Sequence, residues 1–143
     1  MNLIINYVLV SFSFFFFNLE MASPLPAKVQ QCPVINGKYK TDHNEIADFK
    51  TEFFKGRFKY TFVFNDSYDS ADIFIADGAK HLLDEKDPSL GTFSASCTSS
   101  NRIEINVVSD ISYVIEYVVN VDKSIDWSWL FPHKKATVHL TPY

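Results

Sequence analysis

From Arg57 to Phe64 the chain alternates strictly, with Phe58, Tyr60, Phe62 and Phe64 set against Arg57, Lys59, Thr61 and Val63. A period of two places the four aromatic rings on one face of a β-strand, and such a face must be covered by something apolar. Short segments of the same kind follow: Asp72 to Ala76, Thr92 to Cys97, Arg102 to Val108, Ser112 to Val121, Ile125 to Phe131 and Ala136 to Thr141. Ser109-Asp110 reads as a hairpin turn between two of them, and Asn65 to Ser70 as another turn. In the longest segment Tyr113, Ile115, Tyr117, Val119 and Val121 share a face, while Val114 and Val118 partly cover the other. The class is therefore all-β. Two architectures satisfy the pattern, a small antiparallel barrel and an antiparallel sandwich of two sheets.

Upstream of Gly56 the signals change. Asp42 followed by Glu45 matches a capping box, and Ile46, Phe49 and Phe53 recur at helical spacing before Gly56, so a short N-terminal helix is expected there.

The first residues bear on compartment. Leu3 to Phe17 is an uncharged run of 15 residues with five phenylalanines, followed by Asn18, Glu20, small residues and prolines. It is shorter than the roughly 20 apolar residues that cross a bilayer, and it has the make-up of a secretory signal core. Cleavage is expected between residues 22 and 27, best after Ala27. Removing these 27 residues with their one acid, Glu20, leaves a single domain of 116 residues, 28–143, carrying 16 acids against 13 bases. A soluble, extracellular protein with no integral association with a membrane is expected, read as a monomer.

Two cysteines, Cys32 and Cys97, lie in that domain. An even count in an exported chain points to one disulfide. Neither cysteine has a second Cys or His at zinc-site spacing.

Reactive constellations are not found in the sequence. His43, His81, His133 and His139 form no His-x-x-x-His pair, no Gly-x-Ser-x-Gly elbow occurs, and no glycine-rich phosphate loop is present. The chain is read as a non-enzyme without cofactor or metal. The bases, including Lys134-Lys135, form no stripe that a nucleic acid would need. Asp66, Asp69, Asp72 and Asp77 crowd one region, without the Asp-x-Asp-x-Asp-Gly pattern of a calcium loop, and are read as a solvated acidic turn. Asn65-Asp66-Ser67 is an N-glycosylation sequon in the same region.

Aromatic rows carry the binding signal. Phe58, Tyr60, Phe62 and Phe64, with Tyr117, Trp127 and Trp129, either fill a core or line an apolar pocket or platform.

The stretch from Ala47 to Phe58, ADFKTEFFKGRF, preceded by Cys32, resembles the opening of lipocalins, with Phe58 where their Gly-x-Trp motif has tryptophan. GTFSASC over 91–97 and SDISYVIEY over 109–117 resemble middle strands of the triabin-like salivary and venom lipocalins of true bugs. The resemblance implies an eight-stranded barrel, which needs roughly 80 residues; the 87 from Arg57 to Tyr143 supply them. It further implies a secreted protein that sequesters a small apolar or amine ligand, or inhibits an extracellular host protein. A sandwich would instead imply a module binding carbohydrate, lipid or protein.

Overall fold

The computed structural model describes residues 31–65 and 71–143. Among the described residues, ten strands form one antiparallel sheet: β1 Gly37–Thr41, β2 Ile46–Phe54, β3 Arg57–Phe64, β4 Asp72–Ile75, β5 His81–Leu82, β6 Thr92–Ser99, β7 Arg102–Val108, β8 Tyr113–Val119, β9 Ile125–Phe131 and β10 Lys134–Pro142. Their order in space is β4-β3-β2-β1-β10-β9-β8-β7-β6-β5. Each strand pairs with its sequence neighbour, except that β1 and β10 pair with each other and that β4 and β5 end the sheet. The sheet curls until its edges touch: Ala76 bridges Ala95, and the Gly78 amide donates to the Ala95 carbonyl at 2.8 Å. The result is a lipocalin-like barrel, one sheet curled upon itself rather than the two packed sheets of a sandwich.

The expected N-terminal helix is instead strand β2. Lys55 (φ 50°) and Gly56 (φ 76°) supply the two left-handed residues of a tight hairpin, so Phe54 lies opposite Arg57 and Ala47 opposite Phe64. Pairing along this whole register buries Ala47 and Phe49 against β3, and that gain overrides a helical spacing made by only three residues. The capping-box residues sit in the β1–β2 turn, where the Thr41 hydroxyl accepts from the His43 and Glu45 amides at 3.2 and 3.1 Å. The seven segments that alternation marks become ten strands, two more than the resemblance implies, because β1, β2 and the two-residue β5 join them.

The strands from β6 to β10 lie where their alternation puts them, and Arg102–Val108 and Ile125–Phe131 match the expected limits. Inward residues make one core, among them Tyr39, Phe49, Tyr60, Phe62, Phe74, Ile103, Tyr117, Ile125 and Leu140. Rings dominate it. Phe62 lies 4.4 Å from Phe49 and 4.8 Å from Trp127, and Trp127 stacks on Tyr117 at 5.9 Å.

One end of the barrel is closed by the chain before β1. Cys32 is bonded to Cys97, as expected from the count. Ile35 is buried behind it, and the Thr51 hydroxyl both accepts from the Ile35 amide (2.8 Å) and donates to its carbonyl (2.7 Å). The Tyr60 hydroxyl donates to the Pro33 carbonyl at 2.7 Å. The expected signal segment, Asp66 and Asp69 lie outside the described residues.

Candidate functional site

At the other end the two sheet edges part. There, between β4 and the β5–β6 edge, a cavity of about 360 Å³ opens into the barrel. That is the low end of the ~300–1,000 Å³ range of small-molecule sites. Its walls come from strand alternation: Asp72 and Phe74 from β4, Phe93 from β6, Ile105 and Val107 from β7, and Tyr113, Ile115 and Tyr117 from β8. Leu83 reaches in from the segment leading to a 3-10 turn, Pro88–Leu90, which Asp87 caps by accepting from the Ser89 amide. Gly91 follows with φ 116°, its Cα so close to the Val108 carbonyl that a side chain would collide with it.

Asp72 faces the interior because it lies opposite Phe62 in the β3–β4 ladder, two residues before the buried Phe74. Much of its surface remains open at the mouth, yet desolvation by the surrounding protein raises its carboxyl pKa. Tyr117 is 1 % exposed, and burial first, then the charge of Asp72, drives its pKa upward. The cavity thus sets one carboxyl group and one buried phenol on otherwise apolar walls. None of its described lining residues is basic.

Of the seven aromatic residues singled out from sequence, Phe62, Phe64, Tyr117, Trp127 and Trp129 form one cluster of neighbouring rings, most of it core rather than cavity wall. Tyr117 lines the cavity. Tyr60 and Phe62 are 1 % and 2 % exposed core residues, and Phe58 and Phe64 are partly buried beside them. Trp127 and Trp129 contact each other at 4.1 Å, and the Trp127 Nε1–H is buried without an acceptor among the described residues. Phe74, Phe93 and Tyr113 were not singled out as ligand residues. Their alternation within strands was the available signal, but only closure of the sheet shows that they converge.

The remaining candidates lie apart. Asp77 accepts from Arg57 at 3.0 Å and contacts His81 at 3.1 Å, so two members of the acidic group, Asp72 and Asp77, have different surroundings. Asn65 is exposed at the end of β3, where its side-chain oxygen accepts from the Ile46 amide. His43 and His133 are exposed, and His139 pairs with Asp126 at 2.7 Å.

No family model and no curated protein matches this chain. Among solved structures it is similar to secretory abundant heat soluble protein 4 from Ramazzottius varieornatus, with a TM-score of 0.55 over 77 % of this chain and 90 % of that one. Identity is 7 %, so the likeness is one of fold. The shared form is a lipocalin-like β-barrel.

Proposed function

We propose that this protein is a secreted binder whose barrel holds a small, mainly apolar molecule bearing one amine. The observation that carries this reading is that a partly desolvated carboxyl group, Asp72, and the Tyr117 phenol line one cavity walled by Phe74, Phe93, Tyr113, Ile105 and Val107. An ammonium group would neutralise Asp72, which has no cationic neighbour among the described residues of the cavity wall, and the π-faces of the rings would favour the same charge. The apolar walls would take the rest of the molecule. Secretion is supported by the Leu3–Phe17 run and the Cys32–Cys97 bond.

The finer reading is a triabin-like salivary or venom component, a non-enzyme acting as a monomer by sequestration or by inhibiting a host protein. It rests on the motif resemblances over 47–58, 91–97 and 109–117.

Calorimetric titration with phenethylamine and with phenethyl alcohol tests the cavity. The amine is expected to bind more tightly than the alcohol, and Asp72→Asn to remove that difference. Equal affinities for the two probes, or an unchanged preference in the variant, would refute the amine reading.

A further inference from the structure

The opposite end of the barrel carries a second surface that the cavity leaves unexplained. Phe53 and Phe54, 63 % and 59 % exposed, end strand β2 just before the Lys55-Gly56 turn at the tip of the β2–β3 hairpin, Phe53 opposite Phe58 and Phe54 opposite Arg57. Core-sized aromatics are seldom left side by side in water without a use. Behind them, on the outer face, a shallow groove of about 280 Å³ runs between Phe54 and Ile75, with Lys55, Arg57 and Lys59 along it.

Charge is concentrated in the same place. From Lys50 to Lys59 there are four bases and one acid, in a chain of net charge −4. Two acids offset part of this charge, Glu52 pairing with Lys50 at 2.9 Å and Lys59 at 3.9 Å, and Asp77 with Arg57 and His81, so that four bases face two acids and an excess of two positive charges remains. The Lys55 ammonium lies 5.0 Å over the Phe54 ring.

We infer that this hairpin docks the protein on an anionic phospholipid surface, the two phenylalanines entering the headgroup boundary while Lys55 and the excess positive charge around it face lipid phosphates. A bilayer fits better than a protein partner because the rings stand on a convex turn and need no complementary pocket. The lysine stems can lie along the apolar boundary with their charges in the headgroup layer. Anionic lipid is specified by the excess of bases, each of which gains from a negative surface only when close to it. The inference is independent of the cavity, which lies at the other end.

Co-sedimentation of the full protein with vesicles of phosphatidylcholine alone, or of phosphatidylcholine with phosphatidylserine, tests it. Binding is expected only to the mixed vesicles and should fall about fivefold or more between low and physiological salt. Lys55→Glu with Lys59→Gln, and separately Phe53→Ser with Phe54→Ser, should each reduce binding at least about fivefold while thermal melting stays close to wild type. Salt and lipid dependence of the wild type test the same claim should a variant not fold. Absence of binding, equal binding to both vesicle types, or phenylalanine variants that bind like wild type would overturn it. Polyglutamate displacing the protein from vesicles more effectively than salt of equal charge would overturn it in favour of an acidic protein partner.

Discussion

Tyr60 donates its hydroxyl hydrogen to the carbonyl of Pro33, 27 positions earlier, and so ties strand β3 to the segment that closes the barrel. The bond is buried, and burial drives the phenol pKa upward, keeping the donor protonated. Tyr60→Phe leaves the Pro33 carbonyl without this partner and should cost about 1–3 kcal/mol. Urea unfolding of the two proteins measures it, and a loss below about 0.5 kcal/mol would mean that water replaces the tyrosine.

The Cys32–Cys97 bond fastens the same segment at a sequence separation of 65. In the chain-entropy account a loop of that length contributes roughly 4 kcal/mol, a large share of a small domain's stability. Unfolding in the presence and absence of reductant should differ by a comparable amount. Intact mass should also show no thiol open to alkylation before reduction.

Phe62 is packed among Phe49, Phe64, Tyr117 and Trp127. Phe62→Ala therefore opens a void in a filled core and should cost about 3–5 kcal/mol, enough to unfold much of the population. A fully folded, stable variant would show that the interior around β3 can collapse or is already open.

Asp72 carries a stability cost that binding would offset. Its folded pKa lies above the unfolded value, so ionising it costs more in the folded state, and the ligand-free protein should gain stability as pH falls through the raised pKa toward the ordinary carboxylate range. Asp72→Asn should accordingly stabilise the protein at neutral pH, by under about 1 kcal/mol given the solvent screening at the mouth. Amine binding has the opposite dependence, weakening over the same interval as the carboxylate protonates. Melting curves and titrations across pH 4–7 separate the two.

His139 is raised chiefly by its hydrogen bond to Asp126, which is itself lowered by His139 and by Asn120. The histidine's contribution is complete below its unfolded pKa of about 6.5 and disappears as pH rises through the higher folded value. Asp126 contributes above the ordinary carboxylate pKa and loses its contribution as pH falls through its lowered one. Both side chains are substantially exposed, so His139→Gln should flatten the dependence above neutrality by under about 1 kcal/mol. Chemical denaturation between pH 6 and 8 checks the sign.

Strict alternation made β3 and β6 to β10 legible from sequence, because a half-buried strand repeats every two residues and little else does. β2 was missed because Ile46, Phe49 and Phe53 fit a helix, and the decisive pairing with β3 is a contact across the turn. The disulfide was legible from a count. The cavity was not: Asp72 stood out only as one of several acids near a turn, and its inward direction follows from the register opposite Phe62. Tyr113 and Phe93 are twenty residues apart and meet at the cavity through the pairing of β6, β7 and β8. A single chain's residue pattern gives strand faces far more readily than it gives the partner that each face meets.

The seam between β1 and β10 has a kinetic consequence. Lys40 pairs with Thr141, about 100 positions later, while most of the other ladders join adjacent hairpins that can zip up locally. The Cys32–Cys97 bond can tether the early chain before β10 is available, but the barrel cannot shut until that last strand leaves the ribosome and finds the first. Until then β1 and β9 each present an unpaired edge, open to pairing with another chain. Closure over so long a loop should be the slow phase of folding. Expression at high concentration should lose material at that stage, to edge-to-edge association between chains still waiting for their own β10.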